Sequence, residues 1–307
     1  MVFQGCHRYL LQLCQGTGGS SLRMKKKVIF LDVDGTLINY RTIMPKSAGE
    51  AVDLARANGH KVYVCTGCSK AEILQRNLCE LDGMIGANGG YIESEGKVLY
   101  HKPLTVDQVR HVVDWCKARG LGIILEANSN RYFDDNFLAQ AYEVNYKYAL
   151  GKGATEEEAR KKMASKEEYE DALKKRMGYL KDEDLYRDDV NKISFVLSSY
   201  QDHLDSVKEF PDMEVHTWGG VGESALYGDC APKGIDKKFA IELLCKELGV
   251  SKEDTISFGD AKIDISMFEC CGYNVAMGNG GDEVKAAADY ITDHVDNDGI
   301  YNAFVRL

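Results

Sequence analysis

Two aspartates, Asp32 and Asp34, stand one residue apart where the apolar run VIFL breaks into a glycine turn. Two charges at the end of a buried strand are costly unless something compensates them. A turn stabilised by an aspartate side chain explains many single aspartates but rarely a pair. A calcium-binding loop is excluded as well, because with Gly35 at its sixth position the first and twelfth positions, which need carboxylates, would be Phe30 and Arg41. The pair therefore indicates a site that uses two carboxylates.

A second acidic pair follows a later apolar run, TISF. Asp260 stands at the end of this run, and Asp264 lies four residues on, where the next helical pattern begins. Ligand sites of parallel sheets lie at the carboxyl ends of the strands, so two central neighbouring strands would bring three or four carboxylates together. Such a cluster repels itself in a low-dielectric cleft unless a cation neutralises it. Because Mg2+ prefers one or two carboxylates together with water and phosphate oxygens, these residues predict a magnesium site.

Two further residues could bind an anion. Thr66 follows the strand pattern KVYVC and offers a hydroxyl group, with backbone N–H groups nearby where a helix is expected to begin. Lys233 is expected to open the helix KGIDKKFA, where the helix dipole disfavours a cation. We therefore interpret Lys233 as a partner for an anion, with a solvated lysine as the alternative.

The elements that must position these residues alternate between strand and helix. Strand patterns occur early as KVIFLDVDG, HKVYVCTG and MIGANGG and late as DTISFGD, YNVAMG and YIT, with helical patterns between them. Such alternation predicts an α/β fold, a Rossmann-like core whose parallel sheet is covered on both faces. From about Tyr91 to Asp229 the chain instead carries a helix, the strand patterns GIILEA, KISFVLSS, MEVHTW and SALYGD, and a charge-dense stretch typical of solvated helices. We interpret this middle part as an inserted α+β domain.

Four short motifs occur in an order that resembles the haloacid dehalogenase superfamily: DVDGT (32–36), TG (66–67), KG (233–234) and GDAKID (259–264). The long insertion after the second motif, and MGNG (277–280) after the fourth, resemble its sugar-phosphatase branch with a large α/β cap, the Cof-type subfamily IIB. The resemblance extends from Met24 to the end of the chain. It implies a core in two segments, 24–88 and 230–307, and an inserted cap domain at 89–229. Residues 1–23, whose apolar part is short and interrupted by polar residues, are interpreted as a disordered or non-native leader.

The resemblance implies an Mg2+-dependent phosphatase that hydrolyses a small phosphorylated metabolite, a sugar phosphate, through an aspartyl-phosphate. Asp32 would be the nucleophile, and Asp34 would be the general acid and then the base. The carboxylates of Asp32 and Asp260 and the backbone carbonyl of Asp34 would hold Mg2+. Asp264 would orient Lys233 or a metal-bound water.

Phosphate binding is the second role that the resemblance implies. Thr66 and Lys233 would stabilise charge on the transferring phosphoryl group, where positioning and electrostatics supply most of the catalysis. The chain departs from the family pattern twice, since Cys68 stands where an arginine is common after TG and Ile263 where an asparagine is common in the last motif. These departures bear on substrate class rather than on catalysis. The full set expected to contact phosphate or substrate is Gly35, Thr66, Gly67, Asn88, Lys233 and Asn279.

Composition limits the partners and the compartment. The 307 residues carry a formal net charge of -10, which argues against binding nucleic acid or an anionic membrane. No stretch approaches the ~18 consecutive apolar residues of a membrane span. The ten cysteines are irregularly spaced, as in a protein of the reducing cytoplasm. The composition therefore predicts a cytoplasmic protein, and the resemblance implies an enzyme, a monomer or small homo-oligomer, whose partner is a small phosphorylated metabolite.

Three alternative functions remain open. A phosphomutase could pass the phosphoryl group of the aspartyl-phosphate to a sugar instead of to water. A non-catalytic phosphometabolite-binding protein would need neither Asp32 nor Asp34. The stretch CTGC is formally a dithiol motif, but Cys65 completes an apolar strand and four ordered motifs outweigh one. Residues that read the substrate are expected in the cap, where the stretch EANSNRYFDDN is a candidate.

Overall fold

The computed structural model describes residues 26–163 and 165–306, which form two compact units. Among the described residues, the first unit contains those up to Val62 and those from Gly249 onward, and the second contains those between Tyr63 and Leu248. The division falls within one strand, Lys61–Cys65. The predicted leader lies outside the described residues. The domain boundaries taken from the sequence differ from these unit boundaries and stay a prediction.

The first unit is built on parallel strands, as the alternating pattern predicts. Labels follow chain order, and the strands here are β1 (Val28–Leu31), β12 (Thr255–Gly259), β13 (Tyr273–Ala276) and β14 (Tyr290–Ile291). They pair in the order β14–β13–β12–β1. All four residues of β1 are buried, as a continuous apolar run requires in a strand covered on both faces. The helices of this unit are α1 (Lys46–Ala57), α9 (Ile265–Cys270), α10 (Asp282–Ala287) and α11 (Gly299–Arg306).

The second unit continues strand β2 (Lys61–Cys65), which pairs in parallel with β3 (Gly83–Gly86). Helix α2 (Lys70–Gln75) lies between them in the chain. An antiparallel hairpin follows, made of β4 (Tyr91–Ser94) and β5 (Lys97–His101), and our sequence analysis did not predict it. The turn of this hairpin is the dipeptide Glu95-Gly96. Both residues have positive φ (+51° and +77°), as the favoured two-residue hairpin turn requires, and a glycine at such a turn is the signal in the sequence.

A six-stranded sheet forms the remainder of the second unit, and it confirms the predicted mixed α+β organisation. The predicted strands GIILEA, KISFVLSS, MEVHTW and SALYGD are all present, and the charge-dense stretch forms two helices. The strands are β6 (Ile123–Ala127), β7 (Arg131–Phe133), β8 (Gly178–Tyr179), β9 (Val190–Val196), β10 (Met213–Trp218) and β11 (Tyr227–Pro232), in the order β10–β11–β9–β6–β7–β8. The helices are α3 (Val106–Ala118), α4 (Asp135–Gly151), α5 (Glu156–Met163), α6 (Lys166–Arg176), α7 (Tyr200–Glu209) and α8 (Lys237–Leu248).

Two apolar clusters pack against this sheet. In one, the ring of Trp115 on α3 meets Phe195 of β9 and Phe210 edge to face, with ring centroids 5.8 and 5.3 Å apart. In the other, Phe133 packs with Phe137 at the start of α4. Each fully buried phenylalanine contributes roughly 1.5–3 kcal/mol. No helix in the described ranges combines the length and apolar character needed to cross a membrane.

Candidate active site

The loop after β1 carries the first two aspartates. Asp32 is buried, and its backbone N–H donates to the carbonyl of Phe258 in β12 (3.0 Å), which extends the β1–β12 pairing as far as the aspartate. The N–H of Leu37 then donates to the carbonyl of Asp32 (3.2 Å) and closes a tight turn. Asp34 lies within this turn and is partly exposed. The turn therefore fixes the backbone that holds both carboxylates.

Gly35 allows this loop to approach Asp260 closely. Its φ is +90°, a conformation that glycine adopts without steric cost. A Cβ at this position would lie 2.2 Å from Oδ2 of Asp260 and 2.7 Å from Cε1 of Tyr40. Only glycine fits here, whereas a contact between Gly35 and phosphate stays a prediction.

The second acidic pair lies in the loop after β12. Asp264 is fully buried, and its Oδ2 accepts hydrogen bonds from the backbone N–H groups of Asp260 and Ala261, both at 3.0 Å. It directly precedes α9, as predicted. The carboxylate of Asp264 thus holds the backbone on which Asp260 stands, through two hydrogen bonds to a charged acceptor.

Three carboxylates converge in the first unit. Asp32, Asp260 and Asp264 are all buried, and each offers one oxygen that lies within 4.8 Å of the other two. Without a cation, three buried like charges would repel one another. An all-oxygen donor set of this spacing fits a hard divalent cation such as Mg2+ better than a softer transition metal. The structure therefore brings together three of the carboxylates that were expected to converge, while binding of an ion by them and by the Asp34 carbonyl stays a prediction.

Tyr40 is a residue of this site that the sequence analysis missed. Its hydroxyl donates to Oδ2 of Asp260, and the hydroxyl of Thr36 lies 3.3 Å from Oδ1 of the same carboxylate. Burial, and after it the negative charge of Asp260, raises the pKa of Tyr40, so the hydroxyl keeps its proton and acts as a donor. No spacing rule points to a tyrosine at this position, because its role arises only when the loop folds onto Asp260.

Asn279 connects the loop after β13 with the loop after β1. Its Nδ2 donates to the carbonyl of Gly35 (2.7 Å), and its Oδ1 accepts from the N–H of Val295 (2.9 Å). Nδ2 also lies 3.5 Å from Oδ2 of Asp260. Both ends of the amide are therefore engaged with the protein beside the carboxylate cluster, and the predicted contact with phosphate stays a prediction.

In the second unit, Thr66 and Gly67 follow β2. Thr66 is buried, its N–H donates to the carbonyl of Ile85 (2.9 Å), and its hydroxyl oxygen accepts from the N–H of Cys68 (3.2 Å). Asn88 has a φ of +52°, and its N–H donates to the carbonyl of Thr66 (3.0 Å). The structure thus places the predicted phosphate-contact residues Thr66, Gly67 and Asn88 side by side at the end of β2.

Cys68 stands where the family commonly has an arginine, but guanidinium groups from elsewhere lie close to it. Nη2 of Arg76 lies 3.9 Å from the Cys68 sulfur and 3.0 Å from Oε1 of Glu72. Nη1 of Arg131 lies 2.9 Å from the same oxygen. Burial alone would raise the pKa of Glu72, but Arg131 and Arg76 outweigh it and lower that pKa. The second departure, Ile263, is 45% exposed.

The prediction that Lys233 opens a helix is wrong. Helix α8 begins only at Lys237, because Gly234 takes a φ of +73° and Asp236 then caps the helix, its Oδ1 accepting from the N–H of Phe239 (2.7 Å). An aspartate before an apolar helical pattern is a start signal that the sequence analysis overlooked.

The two lysines of this segment lie in opposite environments. Lys233 is exposed, and its Nζ donates to the carbonyl of Pro211 (2.5 Å). Lys237 is only 1% exposed. The helix dipole disfavours a cation at a helix start, and Lys237 is the buried lysine there, so Lys237 rather than Lys233 is the lysine to test for anion binding.

Comparisons with known proteins agree with this architecture. A family model described as haloacid dehalogenase-like hydrolase matches residues 29–304. Phosphatase YwpJ of Bacillus subtilis is 25% identical over 296 residues, which cover 92% of this chain and 99% of the relative. The 5-amino-6-(5-phospho-D-ribitylamino)uracil phosphatase YwtE of the same organism is 25% identical and covers 89% of this chain and 95% of its own. Among solved structures, the subclass IIB sugar phosphatase BT4131 is 26% identical over 92% of this chain and 98% of its own, with a TM-score of 0.68.

Proposed function

The chain belongs to the haloacid dehalogenase-like hydrolases, in which it is a Cof-type phosphatase, and we propose that it hydrolyses phosphate esters of sugars or sugar-like alcohols with Mg2+ as cofactor. The observation that carries the proposal is the buried group of three carboxylates, Asp32, Asp260 and Asp264, with oxygens within 4.8 Å of one another. Three buried like charges this close repel one another, and a divalent cation relieves that repulsion.

The proposed reaction has two steps, both at phosphorus. In the first, an oxygen of Asp32 attacks phosphorus, the bond from phosphorus to the substrate oxygen breaks, and Asp34 gives a proton to the departing alcohol. In the second, Asp34 takes a proton from a water that attacks phosphorus, and the bond to Asp32 breaks to release phosphate. Burial suits Asp32 for the nucleophilic role, while the partly exposed Asp34 can exchange its proton with solvent.

Mg2+ would be held by Asp32 and Asp260, with Asp264 in reach of the same ion. When bound, it would neutralise charge on the phosphoryl oxygens and on the carboxylates. The residues around it do the positioning: Asp264 holds the backbone of Asp260, and Tyr40 holds one of its carboxylate oxygens. These partners keep Asp260 oriented before the ion arrives.

We assign the phosphate-stabilising groups to Thr66 and Lys237. Thr66 offers its hydroxyl at the end of β2, as the sequence analysis expected. The burial of Lys237 supports giving it the role that was predicted for Lys233, because Lys233 is exposed and already donates to a carbonyl. A cation and a hydroxyl aimed at developing charge supply a large share of catalysis in phosphoryl transfer.

The substrate class and the compartment are further parts of the proposal. One relative is a sugar phosphatase, and another acts on a phosphate ester of a ribityl chain. Both names support a polyhydroxylated alcohol as the leaving group. The cysteines of the described ranges are all free thiols, which supports a reducing compartment, the cytoplasm.

Phosphate release from a panel of sugar phosphates and p-nitrophenyl phosphate, with and without Mg2+, tests the proposal. Wild-type protein is expected to turn over in an Mg2+-dependent manner, and Asp32→Asn is expected to lose at least about 10³-fold in kcat, because removing a catalytic nucleophile leaves only residual binding effects. The matched control is Asp53→Asn, an exposed aspartate on α1 in the same unit, which should retain activity. Turnover that survives in Asp32→Asn, or that is indifferent to Mg2+ and to chelation, would contradict the proposal.

A further inference from the structure

One edge of the six-stranded sheet carries none of the features that usually protect an edge strand. Strand β10 is the outermost strand on that side, is six residues long, contains neither proline nor lysine, and pairs with β11 without a break in register. Among the described strands, the other edges are β8 and β14, which have two residues each, and β5, which contains Lys97 and pairs irregularly with β4. Native proteins shorten, bend or charge their edge strands, because an open edge pairs with further strands. The edge of β10 is therefore available to another strand.

The hydrogen-bond pattern shows which backbone groups of β10 lie on the open edge. The N–H of Leu197 donates to the carbonyl of Leu226 (2.9 Å). Because hydrogen bonds of an antiparallel pair alternate, Leu226 and every second residue after it in β11 bond to β9, and the residues between them bond to β10. Val215 and Thr217 of β10 lie opposite residues of the first group. Their N–H and C=O groups therefore point away from the sheet, as a template for one more antiparallel strand.

The sequence of β10 is complementary to itself in such a pair. When two copies of the strand run antiparallel about a two-fold axis at Val215, Glu214 of each copy lies opposite His216 of the other. The backbone groups of Glu214 and His216 face β11, so the two would form a non-hydrogen-bonded pair, the kind in which side chains approach most closely. Charges of opposite sign thus meet twice across the axis.

The charge states of these two side chains favour the contact. His216 is exposed, and its interaction with the carboxylate of Asp229 raises the pKa of His216, which favours the charged imidazolium. Oε1 of Glu214 accepts a hydrogen bond from the N–H of Gly234 (3.1 Å), which holds its side chain in place. An edge with charges of one sign would repel a second copy, whereas this edge attracts one.

Helix α7 extends the edge with apolar side chains. It packs against β10, and Leu204 and Val207, one turn apart on it, are 42% and 47% exposed. Val221, which follows β10, is 90% exposed, and the short turn after it, Gly222–Ser224, lies against α7. Exposed apolar side chains that cluster, rather than stand singly, mark an interaction surface.

We propose that β10 and α7 form the contact between two copies of this chain, which pair antiparallel through β10 about Val215 and pack Leu204 and Val207 against the same residues of the other copy. The sheet then continues from one copy into the next, and the two α7 helices lie side by side. The partner is a second copy rather than a strand of another protein, because a two-fold contact needs a surface that complements itself, and both the charges and the apolar residues do so. All of these residues lie in the second unit, so the inference does not depend on the carboxylate site.

Sedimentation velocity over a concentration series tests the inference. Wild-type protein is expected to form a dimer that dissociates on dilution. Val207→Lys is expected to raise the dimer Kd by about 10-fold or more, because it places two ammonium groups in an apolar contact. The matched control is Val98→Lys on β5, since Val98 is 49% exposed and should leave the Kd unchanged. Both variants should melt at the wild-type temperature, as substitutions at exposed positions usually do.

Charge reversal tests the pairing about Val215. Glu214→Lys and His216→Glu each place like charges opposite one another, and each is expected to raise the Kd by about 10-fold or more. Mixed in equal amounts, the two variants should form a heterodimer, because every reversed charge then meets its opposite. Variants that dissociate singly and do not associate when mixed would overturn this pairing. Wild-type protein that stays monomeric up to about 0.1 mM, or a dimer that Val207→Lys and both charge variants leave intact, would overturn the inference as a whole.

Discussion

Asp260 is the residue of the carboxylate site that the neighbouring side chains hold in place. Its backbone is held by Asp264, its Oδ1 lies near the Thr36 hydroxyl, and its Oδ2 accepts from Tyr40. Gly35 leaves the space that this packing needs, since a Cβ there would overlap the carboxylate. A metal ligand held from several sides is oriented before the ion binds, which is how the partners of metal ligands raise affinity.

Tyr40→Phe is expected to weaken Mg2+ binding by about 10-fold, because the loss of a group that orients a metal ligand typically costs 10–100-fold in affinity. Calorimetric titration with Mg2+ alone measures the affinity directly, and the Mg2+ dependence of turnover gives a second reading. At saturating Mg2+ the variant should recover most of its kcat. Tyr290→Phe on β14 is the control that removes a hydroxyl elsewhere in the same unit. An Mg2+ affinity equal to that of wild-type protein would refute the role given to Tyr40.

At the scale of elements, the start of α8 determines which lysine is buried. Gly234 turns the chain, Asp236 caps the helix, and Lys237 becomes its first residue. The sequence analysis placed the helix start four residues too early and therefore selected Lys233. Capping preferences contain enough information to correct this error, because aspartate is favoured at the N-cap whereas a glycine with positive φ is not part of a helix.

Lys237→Met and Lys233→Met distinguish the two lysines. Methionine keeps an unbranched side chain of similar length, so the packing around Lys237 is largely preserved. We expect kcat to fall by about 10²–10³-fold in Lys237→Met, the size of effect seen when one group that stabilises transition-state charge is removed. In Lys233→Met we expect little change. Thermal melting of both variants checks that they fold, and a large loss of kcat in Lys233→Met alone would reverse the assignment.

At the scale of the whole molecule, the sequence predicts the parts of the fold that depend on local periodicity. Apolar runs separated by helical patterns were enough to identify β1, β2 and β12, because a buried parallel strand reads as a continuous apolar segment. Asp32 and Asp260 could be paired from sequence because both end such strands. The hairpin β4–β5 was missed although its turn carries a signal, since both strands are short and β5 has no buried residue.

The meeting of the buried charges Glu126, Lys192 and Asp229 could not be predicted, because they come together only through long-range pairing. Glu126, Lys192 and Asp229 lie in three strands that are not consecutive in the chain, and the registers of β6, β9 and β11 decide that they share a face. Each is a single charge in an otherwise apolar strand, a pattern that alone does not say which charges meet. The stretch EANSNRYFDDN did contain one of these charges, Glu126, as its first residue.

The central claim is that Asp32 carries the phosphoryl group between the two steps. The most direct measurement is to mix enzyme, Mg2+ and the best sugar phosphate, quench in acid, reduce with borohydride and map the peptides by mass spectrometry. An aspartyl-phosphate is reduced to homoserine, so we predict homoserine at position 32 in wild-type protein. With p-nitrophenyl phosphate, whose leaving group needs no general acid, we predict more of it in Asp34→Asn, in which the base for the second step is missing. Turnover accompanied by no homoserine at position 32, or by homoserine at another aspartate, would contradict the account.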